Sequence, residues 1–262
     1  MGKDINDAVR EVCLSFPETE EYISHGSKNY RLRGKGKKIG KTFATYAINH
    51  HGDQRIALWL NAPAGAQQLY TQAEPKHFFV PPYVGPSGWL GVNLDKGISW
   101  KRVAQLVREA YEKIAPPELA QRIGKTIVIK PPTATMKAEQ FDPLQGKRAQ
   151  SVLKEFRKIV LALPEANEAM QFGAPVWKAG KKTFALAYSF KKDVLQLSFW
   201  VGVEQQGFFI RDKRFQIPPY MGHNGWIALT VTKSCNWNEV RELALNSYRH
   251  FALNRMRAAL EE

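Results

Sequence analysis

The sequence predicts an α+β protein made of two repeated domains, each a mainly antiparallel sheet flanked by an N-terminal and a C-terminal helix. Three observations carry this expectation. The string Phe-x-x-Pro-Pro-Tyr-x-Gly-x-x-Gly-Trp is written twice, at residues 78–89 and 215–226, 137 positions apart. Aligned without a gap, residues 78–111 and 215–248 share 12 identities in 34 positions, where unrelated sequences of ordinary composition share about two. In each copy the strand-like runs follow one another with helices at the ends, which is an α+β order and not a βαβ array.

The copy persists upstream at other offsets. Phe16-Pro17-Glu18-x-x-Glu21 matches Leu163-Pro164-Glu165-x-x-Glu168, and Lys41-Thr42-Phe43-Ala44 matches Lys182-Thr183-Phe184-Ala185. Between these blocks the offset falls from 147 to 141, so copy one carries six extra residues around positions 31–40. The division is residues 1–114 for the first repeat, 115–142 for a proline-rich linker and 143–262 for the second repeat, and the halves are expected to superpose with the same strand order. Two copies also give an internal test: a residue needed for chemistry in both should recur, whereas one that fills a core should be exchanged for another apolar type.

Each copy opens with an amphipathic helix, carried by Ile5, Val9, Val12, Cys13 and Phe16 in the first and by Val152, Phe156, Ile159, Val160 and Leu163 in the second. Pro17 and Pro164 stop these helices, since proline cannot continue the hydrogen-bond ladder. Hairpins are predicted from strand-like runs at 42–48 and 55–60, and at 183–190 and 194–200. A helical piece follows at 64–71, with 203–209 as its weaker counterpart. The Pro-Pro-Tyr turn comes next, and then a strand at 89–94 or 226–231. A second amphipathic helix closes the unit, with Trp100, Val103, Leu106, Val107, Ala110 and Tyr111 in copy one and Trp237, Val240, Leu243, Ala244 and Tyr248 in copy two. Ser99 and Asn236 occupy the N-cap positions. In the linker, Pro116-Pro117 and Pro131-Pro132 bracket residues 125–130, which have the composition of a short strand; the whole reads as a proline-stiffened connection.

With 262 residues, 44% of them apolar, the chain can bury two ordinary cores of about 100–130 residues. No run approaches the ~20 apolar residues of a membrane helix and the N-terminus has no apolar signal core, so the expected address is cytoplasmic and no membrane partner is expected. Cys13 and Cys235 align with Val160 and Ile98, as small buried hydrophobes do, which argues against disulfide, cysteine-metal and cysteine-nucleophile chemistry. The net charge of +14 is divided evenly: residues 1–130 and 131–262 each hold 19 basic and 12 acidic side chains. Charge of this sign built into the domains attracts phosphate backbones, acidic proteins or simply water.

The proline-acid turn after the first helix, the Gly-Lys-x-Phe-Ala hairpin, the Pro-Pro-Tyr…Gly-Trp segment and the closing Trp-x-x-Val…Tyr helix together resemble the MmcQ/YjbR family of small bacterial proteins. The resemblance spans both copies except the linker. It implies a compact α+β fold of the frataxin or double-wing kind and an expectation of DNA binding, and it carries over no catalytic residues.

The sharpest local feature is the segment from Lys28 to Lys41, with Arg31, Arg33, Lys35, Lys37 and Lys38 between them. Gly40-Lys41-Thr42 ends like a phosphate-binding P-loop, but Lys35 stands where the first glycine belongs and a strand-like run follows where a helix should begin, so nucleotide hydrolysis is rejected. As a basic wing between two strands the segment would neutralise phosphates along a groove. Copy two keeps a shorter version in Lys178, Lys181 and Lys182, with Lys191 and Lys192 at the next turn. The plain alternative is that lysine-rich hairpin tips are solvated and protect sheet edges. Most recurring aromatics read as core, with Trp89, Trp100, Trp226 and Trp237 expected to be largely buried, while Tyr83 and Tyr220, beside double prolines, are the candidates for exposed contacts.

Glu18/Glu165 and Glu21/Glu168 are the acid pair kept in both copies; following a helix-ending proline, they read as turn caps in preference to general acids. No histidine recurs, and His50, His51 and Asp53 read as a poor metal site because neighbouring strand residues point to opposite faces. No metal or cofactor is called for. The sequence thus points to a non-enzymatic protein that binds nucleic acid, with duplex DNA as the expected partner, through basic hairpins. The alternative is a protein-interaction or small-ligand module whose ligand sits in an inter-domain or sheet-face cleft.

Overall fold

The computed structural model describes residues 2–34, 39–134, 136–191, 194–231 and 235–261, the side chains at positions 190 and 191 apart. Contacts divide the chain into unit one, residues 1–137, and unit two, residues 138–262. Among the described residues no helix is long and apolar enough to cross a membrane.

Unit one runs α1 (Ile5–Cys13), β1 (Thr19–Ser24), β2 (Ser27–Leu32), β3 (Thr42–Ile48), β4 (Ile56–Leu60), α2 (Ala66–Ala73), β5 (Phe78–Phe79), β6 (Leu90–Asn93), α3 (Trp100–Ile114) and α4 (Pro117–Ala120). Unit two follows with α5 (Ala138–Phe141), α6 (Lys147–Val160), β7 (Ala166–Gln171), β8 (Ala174–Ala179), β9 (Lys182–Lys191), β10 (Val194–Trp200), α7 (Val203–Phe209), β11 (Phe215–Gln216), β12 (Trp226–Val231), α8 (Trp237–Phe251) and α9 (Asn254–Ala258). The sheet orders are β1-β2-β3-β4-β6-β5 and β7-β8-β9-β10-β12-β11, antiparallel throughout. The duplicated halves therefore share one topology. Their length difference lies in one connection, residues 33–41 against residues 180–181.

Helix boundaries follow from local chemistry. Asp4 caps α1 by accepting from the Asp7 amide, and Ser99 and Asn236 cap α3 and α8 in the same way. Each helix buries one stripe, for example Ala8, Val9, Val12 and Cys13 on α1. The β1–β2 and β7–β8 hairpins, which the sequence reading lacked, turn on His25-Gly26 and Phe172-Gly173, all at positive φ. Both central residues of a type I′ turn need that conformation. A register shift recurs at Tyr30/Arg31 in the β2–β3 pair and at Trp177/Lys178 in the β8–β9 pair. The extra residue there is Phe43 or Phe184, which is wholly buried and packs edge-on against the tyrosine of the closing helix, Tyr111 or Tyr248. The same hydroxyls donate to the carbonyls of the helix-stopping prolines, Tyr111 to Pro17 at 2.8 Å and Tyr248 to Pro164 at 2.6 Å. Ring and hydroxyl thus clamp the first helix's exit to the last helix.

One expectation needs correction. Trp100 and Trp226 are buried, but Trp89 and Trp237 are only partly so. Their repeat equivalents, Trp226 and Trp100, hold the same places at the start of β12 and α3 and are buried, so the difference lies in what packs around each ring and not in its position along the element. Residues 125–130 form no strand; Ile129 is buried, and the amides of Thr133 and Ala134 donate to the Lys3 carbonyl, so the connection lies along unit one. Its first turn, α4, matches α9 at the same offset of 137 as the motif, which carries the repeat past residue 114. Cys13 is buried as expected and burial raises its thiol pKa, while Cys235 is half-buried.

A recurring polar residue supports the Pro-Pro-Tyr loop. Gln67 Nε2 donates to the carbonyls of Gly85 (2.8 Å) and Trp89 (2.6 Å), and Gln206 Nε2 donates to those of Gly222 and Trp226, both at 2.7 Å. The helices α2 and α7 thus hold the loop shut through one amide each. Gln206→Met keeps the shape and strands two buried carbonyls, so it should cost unit two about 1–3 kcal/mol in urea unfolding. Gln67→Met should cost less, because Gln67 is only partly buried.

Candidate nucleic-acid interface

Side chains alternate between the two faces of each sheet. In unit one Tyr30, Ala44 and Leu60 face the helices; Tyr22, Asn29, Thr45 and Trp59, paired across neighbouring strands, take the other face. Part of this second face is roofed, since Phe79, Val84 and Trp89 pack on Ala47, Ala57 and Trp59. Arg31 follows Tyr30 and so lies on the second face, as Lys178 does after the buried Trp177. These two cations are equivalent by offset.

Their surroundings differ. Arg31 Nε sits 2.7 Å from Glu20 Oε1 and its guanidinium lies 4.3 Å over the Tyr22 ring. The counterpart of Glu20 opposite Lys178 is Asn167, an amide instead of a carboxylate. A second equivalent pair, Lys41 and Lys182, is exposed where β3 and β9 begin, with Arg33 and Lys181 exposed beside them. Each unit therefore presents cations at one end of the sheet.

Among the described residues the members of the expected basic set part onto different faces and ends of the sheet. Lys28 turns to the helix side, where its Nζ donates to Asn6 Oδ1 at 2.7 Å. Lys35, Lys37, Lys38 and Lys192 lie outside the described residues, as does the Lys191 side chain. Lys191 closes β9 and Lys182 opens it; ten residues at ~3.3 Å each set these ends ~30 Å apart, so the two lysine turns of copy two are at opposite ends of the sheet.

Tyr83 and Tyr220 are exposed as expected, at 69% and 75%. Their backbones are left-handed, with φ of 63° and 65°, a conformation that costs a residue with a Cβ about 1–2 kcal/mol. Tyr83 lies 6.0 and 5.8 Å from the rings of His50 and His51, and His50 lies 4.8 Å from Trp59. This puts Tyr83 at the end of the second face remote from Arg31. Tyr220 neighbours Tyr188, whose hydroxyl is pushed up to about 12 by burial and, secondarily, by Tyr220. Ala187 is in the core, so Tyr188 and Tyr220 occupy the corresponding place in unit two.

The histidines sit in a turn and not on a strand, and their rings are 4.1 Å apart. Burial and then His51 lower the His50 pKa, opposed by Asp53. Among the described residues no group of three His, Cys, Asp or Glu side chains is placed to hold a metal. The recurring acids are ion-paired instead of capping turns: Glu21 with Arg10 and Glu168 with Arg157 on the first helix of each unit, Glu18 with Arg122 and Glu165 with Arg255. Glu18 and Glu165 both have positive φ, and their carboxylates meet arginines of the segment after the closing helix.

Sequence reading also missed an ion pair with exchanged signs. In unit one Arg102 on α3 pairs with Glu74 (2.7 Å) and lies 5.0 Å over Phe78. In unit two the helix position is Glu239, which pairs with Arg214 (2.7 Å), and Arg214 lies 5.4 Å over Phe215. The signal was available, since His77 and Arg102 align with Arg214 and Glu239.

The YjbR family model matches residues 14–113 and 161–250, well over half of the chain. Among solved structures, the chain is similar to the crystal structure of Deinococcus radiodurans protein DR2400, with family-model domain DUF419, at 17% identity and a TM-score of 0.38, covering 46% of this chain and 87% of that one. No curated protein matches. Each family match takes in one six-stranded sheet and nearly all of its closing helix, and the chain belongs to the YjbR family.

Proposed function

We propose that the protein binds nucleic acid without acting on it chemically, by contacts from lysine and arginine to backbone phosphates. The observation that carries this reading is the recurrence of two cations per unit, Arg31/Lys178 and Lys41/Lys182, at one end of the sheet. Nothing in the core requires them, and the even division of the +14 charge gives each unit its own share. Phosphate contacts of this kind position a strand and carry no sequence preference. The small-ligand reading gains no support from the recess of unit two beside Arg148, Ser189 and Leu195, whose ≈ 10 Å³ holds about one water.

The test is salt dependence. Each phosphate contact contributes about −0.9 to the slope of log affinity against log salt. Replacing Arg33, Lys41, Lys178 and Lys182 together by Gln should flatten the slope for a short duplex by about 3–4, with folding intact because these side chains are partly or fully exposed. An unchanged slope, or a parent that binds neither duplex nor single strand at low salt, sinks the proposal.

A further inference from the structure

We infer that the second face of each sheet takes single-stranded nucleic acid, with Tyr83 and Tyr220 stacking on unpaired bases; this rests on the phosphate-binding reading above. The duplicated chain separates two reasons for keeping an aromatic. Tyr111 and Tyr248 recur because they are wholly buried, whereas Tyr83 and Tyr220 recur while mostly in water. Packing does not explain the second pair. Nor does backbone preference, because left-handed φ at both positions favours glycine. The known neighbours differ as well: Tyr83 has the rings of His50 and His51 within about 6 Å, while Tyr220 lies near Tyr188, whose counterpart in unit one is Ala47. The tyrosine is retained where these neighbours are exchanged.

What the two positions share is an exposed ring at one end of a face whose other end carries a cation. The span can be judged from β3: Arg31 pairs at Thr42 and the histidine turn begins after Ile48, so six residues at ~3.3 Å make ~20 Å. Consecutive phosphates of a strand advance ~3.4 Å when stacked, so a segment of several nucleotides bridges the cations and the ring. Base–aromatic stacking needs an exposed π-face, which duplex bases lack because they are stacked on one another, and it tolerates any sequence. A face with a cation at one end and a recurring exposed tyrosine at the other thus matches single strands better than duplexes.

The experiment uses the full chain, a fluorescent oligothymidylate of about 12 nucleotides and a duplex of equal length, titrated by anisotropy at several salt concentrations. The parent should bind oligothymidylate more tightly than duplex. Tyr83→Ala with Tyr220→Ala should weaken oligothymidylate binding about tenfold, leave duplex binding unchanged and keep the parent's salt slope, since stacking releases no counterions. The corresponding double Phe variant should retain parental affinity. A double Ala variant that binds oligothymidylate like the parent, or a parent that prefers duplex, overturns the inference while leaving phosphate binding in place. A parent that binds neither removes both.

Discussion

Trp100→Ala is expected to lower the stability of unit one by about 3–5 kcal/mol, the range for emptying a large aromatic site that cannot collapse. Trp100 is only 7% exposed and opens α3 above the core that holds Val103, Leu106 and Val107. The equivalent Trp237→Ala should cost about half as much, because that indole is already partly in water and leaves a smaller void. Urea unfolding of the full chain, with hydrogen exchange read separately in the strands of each unit, measures both. Equal losses would mean that the difference in burial has no energetic content.

Gly225→Ala should be nearly as damaging, and Gly88→Ala much less, although the two glycines are equivalent in the repeat. Both have positive φ, 81° at Gly88 and 85° at Gly225, so any Cβ adds about 1–2 kcal/mol of backbone strain. At Gly88 the added methyl meets nothing within 4 Å. At Gly225 it meets the backbone of Gly202 and Val203 at 2.8 Å, where the amides of Val201 and Gly202 both bond the Gly225 carbonyl and hold the chain in place. Main chain so held cannot retreat as a flexible side chain would, and the overpacking adds a further ~1–3 kcal/mol. Thermal melts of the two variants should therefore differ clearly, and matching midpoints would refute the clash.

The repeat, the hairpins β3–β4 and β9–β10 and the closing helices were legible because their apolar residues alternate or recur at three- and four-residue spacing. The β1–β2 and β7–β8 hairpins were not. Thr-Glu-Glu-Tyr-Ile-Ser, a sheet edge, has no alternating apolar face, and His-Gly and Phe-Gly are weaker turn signals than Asn-Gly. Exposure of Tyr83 and Tyr220 could be read from the prolines around them, but not their strained backbone. Within the basic segment, residues three apart on a strand point to opposite faces, so Lys28 and Arg31 part company, a separation invisible until the strand itself is recognised.

The exchanged ion pair bears on how a duplicated chain assembles. Two units with the same strand order invite the wrong helix to dock on the wrong sheet, a characteristic hazard of repeats folding on one chain. Were α3 to settle on the sheet of unit two, Arg102 would meet Arg214; were α8 to settle on that of unit one, Glu239 would meet Glu74. Each mismatch sets like charges together, and the second also removes Arg102 from over the Phe78 ring. A pair worth little to stability at the surface thus labels each closing helix for its own sheet, so that sequence drift between the copies has also sorted them.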